Sequence, residues 1–230
     1  MSSPTPEAVI FDLDGVLVDS EQRWNAAKEE LVREAGGRWR DEAPTVMMGM
    51  SSHEWSAYLH DELGVPMEVD AINREVVRRM LEDYRHELPL LPGASKAVHA
   101  LAARWPLGLA SSSNREVIDL VLERADFGDA FGAAVSSEEV DRGKPAPDVY
   151  LETAARLDVA PARCVAIEDS SNGLRAAAAA RMAVIAVPNE HYPPEDGALS
   201  LASETVTNVG AVTPELVERA SIRPAGGGPA

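Results

Sequence analysis

The sequence predicts an α/β fold, a doubly wound parallel sheet with an inserted α-helical cap, and three observations carry that expectation. Five short runs are apolar throughout: "AVIF" at 8–11, "LGLA" at 107–110, "AAV" at 133–135, "CVAI" at 164–167 and "AVIAV" at 183–187. Uninterrupted apolar runs suit strands covered on both faces, as in a parallel sheet. Helix-sized segments with apolar positions at helical spacing separate the later runs, which is the alternation of a doubly wound fold. Between the first run and the second lie about ninety residues, far more than one crossover helix needs.

Taken in order, the first strand delivers Asp12 and Asp14 at its tip and is followed at once by Gly15. The long interval then carries three amphipathic stretches, "SEQRWNAAKEELVREA", "SSHEWSAYLHDELG" and "VDAINREVVRRMLEDYRHEL". They are expected to form a helical cap over 18–89, with joints near Val16–Ser20 and at "LPLLPG", Leu88–Gly93, where proline and glycine punctuate the chain. Helices are expected near 94–104, 114–125, 147–157 and 171–181, so that 1–17 and 90–221 form the catalytic core. Residues 1–6 and the closing "SIRPAGGGPA", with 222–230 as the tail proper, read as flexible ends.

Composition excludes several functions. A chain of 230 residues, 45% hydrophobic and 26% charged, is globular, and its net charge of -17 opposes a surface for nucleic acid, which needs clustered Lys and Arg. No apolar run reaches membrane-spanning length, and "MSSPTPEA" lacks a basic region followed by an apolar one, so a cytoplasmic protein is expected. The single cysteine, Cys164, has no partner for an internal disulfide and sits in an apolar run, which reads as a buried strand position. A small phosphorylated metabolite remains an admissible partner where a cation and a few placed basic groups reverse the field locally.

The strand ends carry the chemistry. The second ends in "SSSN" at 111–114, the third is followed by "GKPAPD" with Lys144, and the fourth ends in Glu168 and Asp169 before "SSNG". Each piece has an ordinary reading: aspartate and glycine make turns, and the serines of 111–113 or 170–171 cap helices. In an open parallel sheet, however, the C-terminal strand ends share one edge, where ligands bind. Carboxylates, hydroxyls and one ammonium then meet in one place. For a phosphate ester, Asp12, Asp169 and a backbone carbonyl near Asp14 suit Mg²⁺, with Glu168 nearby. Asp12 is positioned to attack phosphorus and Asp14 to exchange protons with the leaving group and water. Ser111, the amides after it and Lys144 suit the transferring oxygens.

"DLDGVLVDSE", "LASSSN", "GKPAPDVY" and "IEDSSNGLRAA" resemble, in order, the four motifs of the haloacid dehalogenase-like hydrolase superfamily, over about Ala8 to Val187. The resemblance is closest to the phosphatase and phosphomutase branch with a Rossmann-like core and a helical cap. It implies Asp12 as nucleophile and Asp14 as general acid and base. It further implies Ser111, Ser112 and Lys144 as phosphate ligands, and Asp12, Asp14 through its carbonyl, Glu168 and Asp169 around Mg²⁺. Asp14 favours phosphoryl transfer over dehalogenation. No lysine occurs between Lys28 and Lys96, which argues against a cap lysine acting as a Schiff base, as in phosphonoacetaldehyde hydrolases.

The expected function is therefore Mg²⁺-dependent hydrolysis of a small phosphate monoester, such as a sugar or polyol phosphate, through an aspartyl phosphate. A β-phosphoglucomutase-like activity is the alternative; its gating histidine aligns with Trp24 and its cap arginine near Ser52. A phospho-acceptor signalling domain or a non-catalytic binding protein fits less well, given the length and Asp14. On the cap side, Ser20, Trp24 and His53 are the candidate specificity residues, with Met47, Met48, Trp55 and Tyr58 as further contacts.

Overall fold

The computed structural model describes residues 5–48, 50–127, 129–189 and 192–222. A six-stranded sheet, parallel throughout, organises them in the order β3-β2-β1-β4-β5-β6. Its strands are β1 (Ala8–Phe11), β2 (Leu107–Ser111), β3 (Phe131–Ser136), β4 (Cys164–Glu168), β5 (Ala183–Ala186) and the two-residue β6 (Glu204–Thr205). Helices follow the chain as α1 (Glu21–Glu34), α2 (Ala43–Val46), α3 (Ser52–Asp61), α4 (Val69–His86), α5 (Ala94–Ala102), α6 (Arg115–Arg124), α7 (Asp148–Arg156), α8 (Ser171–Ala179), α9 (Asp196–Leu199) and α10 (Pro214–Ile222).

Side-chain alternation along the strands explains why the runs are apolar without a break. Val9 and Phe11 of β1 join one buried cluster with residues of α5, α6 and α10, whereas Ala8 and Ile10 join a second with residues of α7, α8 and α9. Cys164 lies in β4, buried, and burial pushes its thiol up to about 12, as suits a packing residue.

Helices α1–α4 all fall between β1 and β2 in the chain. The backbone departs and returns side by side: Leu91 N donates to the Leu17 carbonyl at 2.9 Å, and Asp19 N to that of Pro89 at 2.8 Å. Leu31, Leu59, Ile72, Val76 and Met80 form the shared interior of these helices. Arg79 of α4 ties α1 to α4 through Glu34 at 2.6 Å and Glu30 at 3.1 Å. Helix α3 opens with a capping box, in which Ser51 accepts from Glu54 N and the Glu54 carboxylate accepts from Ser51 N.

The C-terminal region differs from expectation. Helix α10, with Pro214 at its start and Glu215 in its first turn, packs Leu216 and Val217 into the core and runs through Ile222, past the point at which a tail was expected to begin. At the other end Pro6 is buried and Glu7 N donates to Arg163 O at 2.8 Å, so the leading tail ends earlier than residue 6. The remaining tail positions, 1–4 and 223–230, lie outside the described residues. No helix among the described residues is long and apolar enough to cross a membrane.

Candidate active site

Beyond Phe11 the chain leaves the sheet in a tight turn, in which Leu17 N donates to Leu13 O at 2.8 Å and Gly15 N to Val18 O at 2.8 Å. The turn puts Asp12 and Asp14 into one cleft at the C-terminal edge of the sheet, with Ser112, Ser113, Lys144 and Asp169. Gly15 is at φ +75°, and a Cβ there would stand 1.9 Å from Asp169 Oδ2. Glycine is thus required for both conformation and space: the turn is pressed against a carboxylate.

Asp12, Glu168 and Asp169 are buried and can each offer one oxygen, these atoms lying within 4.8 Å of one another. Burial first, then Glu168, pushes the Asp12 carboxyl up to about 8, against the opposing pull of Lys144. Burial, Glu168 and Asp12 likewise raise Asp169 well above the carboxylate range. Lys144 Nζ sits 2.8 Å from Asp12 Oδ1 and 2.6 Å from Glu168 Oε1. Burial works against its charge, but the two carboxylates outweigh that and raise its pKa. The Asp12 contact is an ion pair between two buried side chains.

Glu168 differs from its neighbours. Oε1 accepts from Lys144 Nζ at 2.6 Å and from the Tyr150 hydroxyl at 2.7 Å; Oε2 accepts from Asp169 N at 3.0 Å, Ser170 N at 3.2 Å and Ser170 Oγ at 3.2 Å. Gly173 allows this packing, since a Cβ there would lie 1.8 Å from Glu168 Oε1. Both oxygens are committed, so Glu168 holds Lys144 and the start of α8 in place. An oxygen-seeking cation fits the cluster: three buried carboxylates can each offer an oxygen within 4.8 Å of the others, at a turn that only glycine can make against Asp169. Asp12 and Asp169 have the free lone pairs to hold it, with Glu168 behind them.

Asp14 faces a different environment. Ser113 Oγ donates to its Oδ2 at 2.6 Å, and the Trp24 indole N–H to its Oδ1 at 3.2 Å. Ser111 is fully buried; its Oγ accepts from Ser113 N at 3.0 Å and stands 3.5 Å from Asp14 Oδ2, at the outer limit of a hydrogen bond. Ser112 lines the cleft, whereas Ser111 lies behind its wall. Ser170 does cap α8, accepting from Gly173 N at 3.1 Å, but the cap position of α6 is Asn114, not a serine. Asn114 Nδ2 instead bridges Glu138 at 2.6 Å and Asn73 of α4 at 3.1 Å.

From the other side α1, α3 and the segment after α2 supply Glu21, Trp24, Lys28, Met47, Met50 and Trp55. Two expected specificity residues are elsewhere. Ser20 is fully buried at the start of α1, with its hydroxyl unpartnered, and His53 is exposed on the first turn of α3. The positions follow from helix phase: Trp24 and Lys28 share the inward face of α1 four residues apart, while Trp55 and not His53 occupies that of α3. Met48 and Tyr58 also lie off this cleft. Sequence reasoning missed Ser113, Glu21 and Lys28. The lysine-free interval that speaks against a cap Schiff-base lysine runs from Lys28 to Lys96, and Lys28 itself lines the cleft. The signal was present in the sequence: i and i+4 put Lys28 on the face of Trp24, already singled out.

The comparisons with known proteins agree with this geometry. A family model for haloacid dehalogenase-like hydrolases matches residues 6–181. Hexitol phosphatase B of Escherichia coli K12 is 38% identical over 187 residues, covering 79% of this chain and 83% of that protein. A crystal structure of a CbbY variant from Rhodobacter sphaeroides in complex with xylulose-(1,5)bisphosphate superposes with a TM-score of 0.81 at 26% identity, over 93% of this chain and 99% of the other. For the fold alone, β-phosphoglucomutase from Clostridium difficile gives 0.81 at 23% identity, over 94% and 97%. With four motifs meeting at one sheet edge, a family model over most of its length and relatives that are phosphatases, the chain belongs to the haloacid dehalogenase-like hydrolase family.

Proposed function

We propose that this phosphoric monoester hydrolase is a Mg²⁺-dependent phosphatase acting on a small sugar or polyol phosphate, with Asp12 as the nucleophile. The observation that carries the reading is the buried arrangement of Asp12 between Lys144 and Asp169, open to the cleft that also holds Asp14. Mg²⁺ bound by Asp12 and Asp169 would neutralise the clustered carboxylates and withdraw charge from the phosphoryl oxygens.

The chain's own groups divide the remaining work. Lys144, fixed by Glu168 and Tyr150, keeps a positive charge beside the attacking Asp12 oxygen and the transferring group. Ser112, at the mouth of α6, offers its hydroxyl and amide to phosphoryl oxygens, while the donors of Ser113 are taken by Asp14 and Ser111. As Asp12 attacks phosphorus, the P–O bond to the alcohol breaks and Asp14 supplies its proton; Asp14 then takes one from the water that hydrolyses the aspartyl phosphate. Trp24 and Ser113 orient Asp14 for both transfers. Helices α1–α4 act as the cap that closes over the substrate and excludes bulk water. Support for a hydroxylated substrate comes from hexitol phosphatase B, the 38% identical relative.

A mutase reading retains one observation, an unpaired cation, Lys28, in the cleft. Against it stand Trp24, which has no gating imidazole, and Ser52, which is buried and uncharged. Phosphate release from a panel of hexitol, sugar, nucleotide and glycolate phosphates, with Mg²⁺ and with EDTA, tests the proposal. Release of inorganic phosphate that requires Mg²⁺ and favours hydroxylated substrates is expected. Glucose 6-phosphate formed from β-glucose 1-phosphate faster than phosphate is released would replace hydrolase with mutase.

A further inference from the structure

Of the two lysines in the cleft, Lys144 is committed to Asp12 and Glu168. Lys28 is not: it is 6% exposed, and its ammonium has no ion pair or hydrogen bond with any described residue. Its nitrogen lies 4.9 Å from the centre of the Trp55 ring and 5.7 Å from that of Trp24, two rings whose own centroids are 6.2 Å apart. Cation–π contact offsets part of the cost of burying the charge but satisfies none of its three N–H donors. Burial lowers its pKa to about 8, with Glu21 and Asp14 acting in the opposite sense. Such a group is poised for an acceptor arriving in the cleft.

We infer that Lys28 is the specificity-determining residue of the site, donating hydrogen bonds to hydroxyl oxygens on the end of the substrate remote from the phosphate, while Glu21 accepts from those hydroxyls. This rests on the phosphatase reading above and deepens it. Glu21 and Lys28 lie two turns apart on α1 and both face the cleft, yet they make no ion pair. An ammonium only donates and a carboxylate only accepts, whereas a hydroxyl does both, so a polyhydroxylated chain or ring satisfies the two together. A distal carboxylate or second phosphate would pair with Lys28 but meet Glu21 and Asp14 as like charges. The electrostatics of the helix therefore favour a neutral, hydroxylated end, and the indole faces beside Lys28 suit its C–H surface.

Lys28→Met keeps the length of the side chain and its contact with both indoles while removing the donor. The test compares sorbitol 6-phosphate, which carries the hydroxyls, with p-nitrophenyl phosphate, which has none. On the polyol phosphate kcat/KM should fall by about 10- to 100-fold, the effect of losing hydrogen bonds from a charged donor. On the aryl phosphate the loss should be about tenfold smaller, and Lys28→Arg should recover part of the polyol activity. If Lys28→Met does not fold, as judged by thermal unfolding, Lys28→Gln is compared with wild type on the same pair. Equal losses on both substrates would overturn the inference, as would a wild type that hydrolyses the aryl ester and ignores polyol phosphates. So would a wild-type preference for phosphoglycolate or a bisphosphate that disappears in the variant, since it would make Lys28 an anion site. In all three cases the phosphatase reading stands. A wild type that releases phosphate from neither substrate overturns both.

Discussion

The two walls of the cleft are built on opposite principles. On the sheet side Lys144, Glu168, Tyr150 and the amides after β4 form one buried network, beside which Asp12 and Asp169 keep oxygens to spare. On the opposite side the wall is two indoles, two thioethers, the Glu21 carboxylate and a lysine with no ion pair or hydrogen bond among the described residues. A wall braced by such a network suits chemistry that is the same for every ester, because the reacting atoms must be placed to a fraction of an ångström. An unsatisfied wall suits choice, because its groups are completed only by the right substrate.

Asp12→Asn tests the fixed wall most severely. It preserves shape but removes the nucleophile and a metal-binding charge, so phosphate release should fall by about 10⁴-fold or more on every substrate alike. A loss confined to hydroxylated substrates would erase the division between the walls. Gly15→Ala comes next, because its Cβ would be forced against Asp169 in a backbone conformation at φ +75°. Thermal unfolding should show a loss of at least about 2 kcal/mol, with the stabilisation by Mg²⁺ largely gone. An unchanged melting curve would mean that the turn and the acidic cluster are not packed as described.

A pH series separates the walls without mutation. Because the folded pKa of Asp12, about 8, lies above its unfolded value, the folded metal-free chain binds the extra proton between those limits. Its stabilising contribution is complete below about pH 4 and is lost as pH rises toward 8. In EDTA, Tm should therefore decline across that interval, and Mg²⁺ should flatten the decline. An equal slope with and without Mg²⁺ would separate the cluster from the metal. The smallest effect is expected for Trp24→Phe, which keeps an aromatic ring but removes the donor to Asp14. Hydrolysis of alkyl phosphates should slow by about three- to tenfold, more than that of aryl phosphates with their good leaving groups. Equal slowing would assign Trp24 to packing.

The same contrast explains what the sequence made legible. Strand ends tie a side chain to a backbone position, so apolar runs followed by Asp12, Lys144 or Asp169 announced both the sheet and the cluster. The helical wall uses residues that also build interiors. Trp24 and Trp55 would be equally at home in a core, and Lys28 reads as a solvated helix lysine until the phase of α1 is fixed by Trp24. Ser20 and His53 do not line this cleft for the same reason, since position in sequence does not fix which way a helix turns. Glu168 was legible as an acid but not as the anchor of Lys144, because that role depends on Tyr150, which reaches it from helix α7. Strand β6 is two residues long and carries no period to read.

In the proposed reaction a carboxylate oxygen of Asp12 takes the phosphoryl group. The direct measurement is acid quenching of the wild-type enzyme during turnover with Mg²⁺ and a hexitol phosphate, followed by peptide mass spectrometry. A phosphoryl group on the peptide containing Asp12, labile to hydroxylamine and absent from Asp12→Asn, is the predicted result. Turnover that leaves Asp12 unmodified under conditions that trap acyl phosphates, or that places the phosphoryl group on another residue, would contradict it.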